Sequence, residues 1–129
     1  MRAVAVAVVT LALAGILSAQ QPTFRRTVIR QSDISVPGRE VVTAIAEFAP
    51  GATVGWHTHP GEEVGYLLEG MLSFEHDGRP PVTLSPGQTF FVPAGGIHNA
   101  TNTGSRTARV LATYIVEKGK PLAAPAPTR

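Results

Sequence analysis

Four histidines occur in this chain of 129 residues, and two of them stand one residue apart in GWHTHPGEEVGYLLEG, residues 55 to 70. Side chains alternate across a strand, so on a strand His57 and His59 share a face. If that face lines a barrel, the two imidazoles converge on one point. Glu63 follows across a turn marked by Pro60-Gly61, close enough along a hairpin for its carboxylate to meet them, while Glu62 points the other way. Further along, GQTFFVPAGGIHNATN, residues 87 to 102, delivers His98 into another apolar-rich stretch. Imidazoles and a carboxylate brought to one place do metal-ion chemistry. The alternative is a chance His-x-His on an exposed strand. The fourth histidine, His76, precedes the Asp77-Gly78 turn and reads as a solvated residue at a hairpin end.

The elements that would position these residues are strands. Residues 40 to 117 show no 3.6-residue apolar pattern of helix length, and short β-rich runs recur between Gly and Pro turns. Strands are expected near 40–48, 53–59, 63–69, 71–76, 81–84, 89–92, 97–103 and 107–116. The turns fall at Pro50-Gly51, Glu69-Gly70, Asp77-Gly78, Pro86-Gly87 and Gly95-Gly96. The expected fold is all-β, a single small barrel or jelly roll.

Residues 1–19 differ in kind. MRAVAVAVVTLALAGILSA has one cation, Arg2, then an apolar run closing on Ser18 and Ala19, the build of a secretory signal peptide. The reading is an exported protein, periplasmic or secreted, with no membrane contact after cleavage; a retained anchor is the alternative. Residues 20–39 read as an N-terminal segment and first strand, 40–117 as the barrel, and 118–129 as a disordered Pro/Ala-rich tail.

The remainder holds one core and not two domains. With 11 Lys plus Arg against 9 Asp plus Glu and no cationic run, the chain has no nucleic-acid footprint. It contains no cysteine, so disulfides and thiolate chemistry are excluded.

The two segments together resemble the cupin family. Gly51, His57-x-His59, Glu63 and Gly70 fall at the spacing of that family's first motif, and Gly87, Pro93-x-Gly95, His98 and Asn102 at that of its second. Residues 71 to 86 between them resemble the compact spacing of small single-domain bacterial cupins. The resemblance implies a cupin β-barrel, or double-stranded jelly roll, with His57, His59, Glu63 and His98 as the ligands of one divalent transition metal. It favours Mn or Fe, with Zn, Ni and Cu open. Three imidazoles and one carboxylate suit these ions better than Ca or Mg and leave two octahedral positions vacant.

Phe91 and Asn102 are the candidate pocket residues; Asn102 serves either there or as a turn stabiliser. No lysine, aspartate, further histidine or second glutamate is expected in the lumen, so the chemistry falls to the metal itself. The partner is then a small molecule, and the function an enzyme of dioxygenase type or a Lewis-acid isomerase or lyase. The competing class is a non-enzymatic exported protein binding a metal or a metal-chelated small molecule. Apolar side chains with no helices to cover them point to a homodimer.

Overall fold

The computed structural model describes residues 20–126. The segment read as a signal peptide, 1–19, and the last three residues lie outside them. Ten strands run in chain order: β1 Phe24–Asp33, β2 Arg39–Phe48, β3 His57–Thr58, β4 Gly61–Glu69, β5 Leu72–His76, β6 Val82–Leu84, β7 Thr89–Val92, β8 His98–Thr101, β9 Ala108–Glu117 and β10 Ala124–Pro125. They form two five-stranded sheets, ordered β1-β2-β9-β4-β7 and β10-β3-β8-β5-β6, and every pairing is antiparallel.

Alternation builds the core. Val42, Ala44, Ala46 and Phe48 of β2 are buried, as are Ala108, Val110, Ala112, Tyr114 and Val116 of β9, while the residues between them are more exposed. Leu67, Leu72, Phe74 and Val92 close the interior from the other strands. With no helix among the described residues, the inward faces of the two sheets must cover each other.

Close strand crossings rest on glycine. Gly61 and Gly65 on the inward face of β4 have no room for a side chain: a Cβ on Gly61 would lie 1.9 Å from the Ile115 carbonyl oxygen, and one on Gly65 would meet the Phe90 ring at 2.1 Å.

Two expectations are corrected. The run 53–59 is not one strand, because Gly55 takes φ of +86° and turns the chain out of the extended path. What remains is β3 and an isolated Thr53–Thr101 bridge. The tail expected to be disordered is ordered through residue 126: β10 pairs with β3, the Ala126 amide donates to the Trp56 carbonyl, and Leu122 packs against the core. One apolar anchor and three backbone pairings are enough to hold a segment whose composition looks solvated.

Candidate metal centre

The sheet registers converge on one point. His57 of β3 lies opposite His98 of β8, so their side chains share a face, and Glu63 of β4 lies opposite Tyr114 of β9 on the facing sheet. His59 follows β3 with the same parity. All three imidazoles and Glu63 are buried. One ring nitrogen from each of His57, His59 and His98 lies within 4.8 Å of the others.

The outer nitrogens fix the tautomers. His57 Nδ1 lies 2.6 Å from the Gly55 carbonyl, His59 Nδ1 2.6 Å from the Leu122 carbonyl, and His98 Nδ1 2.9 Å from the Gly96 carbonyl. A carbonyl only accepts, so each Nδ1 carries the proton and a neutral ring turns its Nε2 lone pair inward. Glu63 Oε2 then stands 3.0 Å from His59 Nε2 and 3.1 Å from His98 Nε2. The buried His59 Nε2 has no aligned hydrogen-bond partner. Lone pairs and a carboxylate facing one another at this range repel unless a metal ion or a proton lies among them. His57, His59 and His98 could hold a divalent transition metal, and Glu63 stands against two of them.

Electrostatics of the metal-free protein bear on the same groups. Burial, aided by the neighbouring His98 and His59, drives the His57 imidazole down to about 4, so it is neutral at physiological pH. Burial would raise the Glu63 carboxyl, but hydrogen bonding and charge from the His59 and His98 rings, with a proton in the place a metal would take, outweigh this and hold it well below the usual carboxylate range. In metal-free protein the His57 shift has a stability consequence. Above pH 6.5 both folded and unfolded chains keep this ring neutral. Between pH 6.5 and about 4 only the unfolded chain takes the proton, so stability falls with pH across that window, by at most about 1.4 kcal/mol per unit. Urea denaturation of chelator-treated protein at pH 7, 6 and 5 measures it; a midpoint constant over that range would contradict the buried neutral ring.

A small cavity with about 20 Å³ of free space, partly open to solvent, adjoins His57, Glu63 and His98. Phe48, Leu72, Phe74, Phe90 and Val110 give it apolar walls, and Arg26 and Tyr114 are its other polar groups. Burial is the largest effect on Tyr114 and, with the Glu63 charge, pushes its hydroxyl well above the ordinary tyrosine value. The Tyr114 hydroxyl stays protonated.

The three histidines therefore meet, with Glu63 against two of them, and the predicted pocket residues do not join them. Phe91 points outward, 56% exposed; its neighbour Phe90 lines the cavity, because the space over Gly65 accepts that ring. Asn102 is fully buried but lies outside the cavity wall. Its Nδ2 donates to the carbonyls of Phe48 (2.9 Å) and Arg106 (2.8 Å), and its Oδ1 accepts from the Gly104 amide (2.9 Å). It is the turn stabiliser of the two roles expected. Asn102→Ala strands these groups and is expected to cost about 2 kcal/mol in urea denaturation with metal content unchanged; loss of metal in a stably folded variant would return it to the site.

Glu62 stays on the outer side, 4.0 Å from Arg39. His76 is half-buried and not simply solvated: it pairs with His98 across β5 and β8 and sets its ring edge against Phe74. Arg26 and Tyr114 were not singled out by the sequence reading. Tyr114 has the inward parity of Val110 and Ala112 and was readable on that ground; Arg26 sits on a strand with no alternation to reveal its face.

Known proteins supply a comparison for this arrangement. The Cupin domain family model matches residues 44–114. An oxalate-binding protein of Thermotoga maritima is 38% identical over 68 residues, 52% of this chain and 55% of that protein. The dimethylsulfoniopropionate lyase DddQ of Ruegeria pomeroyi is 39% identical over 59 residues, 46% of this chain and 29% of the lyase. The chain thus spans about half the length of the first relative and less than a third of the second. Among crystal structures, a cupin superfamily protein from Desulfitobacterium hafniense DCB-2 aligns over 83% of this chain and 90% of its own, with a TM-score of 0.62 at 23% identity, a likeness of fold.

Proposed function

Since the chain belongs to the cupin family, we propose that it is a metal-dependent protein acting on a small molecule that chelates the ion at positions left open by His57, His59, Glu63 and His98. The observation carrying this reading is the cluster of three buried imidazoles, each tied to a carbonyl through Nδ1, with Glu63 Oε2 within 3.1 Å of His59 Nε2 and His98 Nε2. When bound, the metal would supply Lewis-acid polarisation or one-electron chemistry with dioxygen. The protein's own part is to orient the three rings through their Nδ1 protons, keep Glu63 ionised, and exclude bulk water with Phe74 and Phe90. Family resemblance favours Mn or Fe over Zn, Ni and Cu.

An enzyme of dioxygenase, isomerase or lyase type is the first reading. The likeness to an oxalate-binding protein favours a second, an exported binder without turnover. Both relatives are named for a small carboxylate, oxalate or dimethylsulfoniopropionate. Incubating metal-loaded protein aerobically with small carboxylates separates the readings. Product exceeding one equivalent per site supports the enzyme, and stoichiometric binding with the carboxylate recovered intact supports the binder.

The assembly we propose is a homodimer of an exported chain, joined through the outer face of β4, β7 and β9. Val64, Tyr66, Leu68, Phe91 and Ile115 leave that face apolar and exposed. Monomeric mass in light scattering at micromolar concentration would rule out the dimer.

A further inference from the structure

Arg26 occupies an unusual place. It lies opposite Ala46 on β2, and its side chain forms part of an otherwise largely apolar cavity wall. The guanidinium carbon stands 5.2 Å from the Phe24 ring centroid and 5.7 Å from that of Tyr114, and Nε donates to Tyr114 Oη at 3.1 Å. One nitrogen is thereby committed and the planar group is held in a fixed pose. Among the described residues no carboxylate pairs with it. The acid nearest in register, Glu47, is taken on the outer face by Arg25 and Arg109. A half-buried cation in a cavity wall, with no carboxylate against it, lacks a counter-charge.

Charge balance gives that vacancy a meaning. Glu63 offers the site one negative charge, so a divalent ion there leaves a net positive charge, and Arg26 adds another across the cavity. Apolar walls strengthen both attractions for an anion and make a neutral occupant a poor match. A guanidinium fork takes a carboxylate with two parallel hydrogen bonds. The free space inside these walls is little more than water-sized, about 20 Å³, so the occupant must be compact and must use the side of the cavity that opens to solvent.

We propose that Arg26 is the specificity-determining residue of this site and that its substrate class is the small carboxylates, held between the metal positions and the guanidinium of Arg26, with Tyr114 as the positioning residue that fixes the arginine. This rests on the metal-dependent reading above, and it assigns a role to a residue outside both histidine motifs.

The test is calorimetric titration of the full chain loaded with zinc, a redox-inert ion, using oxalate, glycolate and the neutral analogue glycolamide as probes. Oxalate and glycolate are expected to bind more tightly than glycolamide. Arg26→Gln should weaken oxalate by about 10-fold or more, with glycolamide unchanged, Arg26→Lys intermediate and zinc stoichiometry constant throughout. Tyr114→Phe should weaken oxalate less than Arg26→Gln does. Arg26→Gln that retains zinc and binds oxalate as the parent does would overturn the proposal. So would oxalate and glycolamide weakening together, since that is the signature of a disturbed wall and not of a lost charge. If Arg26→Gln does not fold, Arg26→Lys carries the same comparison. A parent chain that takes up no metal defeats both readings; one that binds zinc without preferring carboxylates defeats this one alone.

Discussion

His98→Ala is expected to purify with less than about a tenth of the metal held by the parent chain, and His57→Ala likewise. A protein-held divalent ion is worth about 10–16 kcal/mol in well-built sites, so one donor of four accounts for about 2.5–4 kcal/mol, or about 10²- to 10³-fold in affinity. The two residues are directly paired across β3 and β8 with ring centroids 4.1 Å apart. Neither vacancy can be filled by the other ring, because each Nδ1 is tied to its own carbonyl. The fold should persist in both variants, since the lost side chains are not part of the apolar cluster of Val42, Leu67, Leu72, Phe74 and Val110. Metal analysis beside circular dichroism checks both halves of the statement. Full metal content in a folded His98→Ala protein would remove the ligand assignment.

Gly61→Ala is expected to be the most damaging single-methyl change in the barrel, lowering stability by about 3 kcal/mol or more. The new Cβ would fall 1.9 Å from the Ile115 carbonyl oxygen and 2.8 Å from Val116 Cα, both backbone atoms of β9. No rotamer relieves such a contact. β4 would have to move away from β9, where the two strands pair from Gly61 to Glu69, and Glu63 would move with it. Thermal or urea denaturation should show the loss, accompanied by weaker metal uptake. A variant within 1 kcal/mol of the parent would mean that β4 and β9 do not approach as closely as described.

The candidate metal ligands are legible because their signal is local. Period-two parity puts His57 and His59 on one side, and the short turn at Pro60-Gly61 brings Glu63 back to them. The glycine two residues before each of His57 and His98 is also plain in the sequence, though not its purpose: the carbonyls of Gly55 and Gly96 hold the rings. What escaped depended on contacts distant in sequence. Choosing between Phe90 and Phe91 needs the knowledge that Gly65 lies opposite, a pairing that only the β4–β7 register supplies. Arg26 hides on β1, most of which is exposed along its length, so neither face is marked by apolar residues. The order of the tail escapes composition, which averages over residues, whereas a single leucine at 122 outweighs the prolines around it.

That leucine also bears on how the centre is filled. Its carbonyl orients His59, and β9, lying between β2 and β4, follows all four ligands in the sequence. During synthesis His57, His59, Glu63 and His98 all emerge before the strand that brings Glu63 into line and the carbonyl that turns His59. The donor set is therefore complete only once β9 and Leu122 are in place. An ion that needs all of it would be drawn from what the compartment of final folding offers. Intrinsic affinity there favours copper and zinc over manganese and iron, so an occupant of the latter kind records where the barrel closed as much as what its ligands prefer.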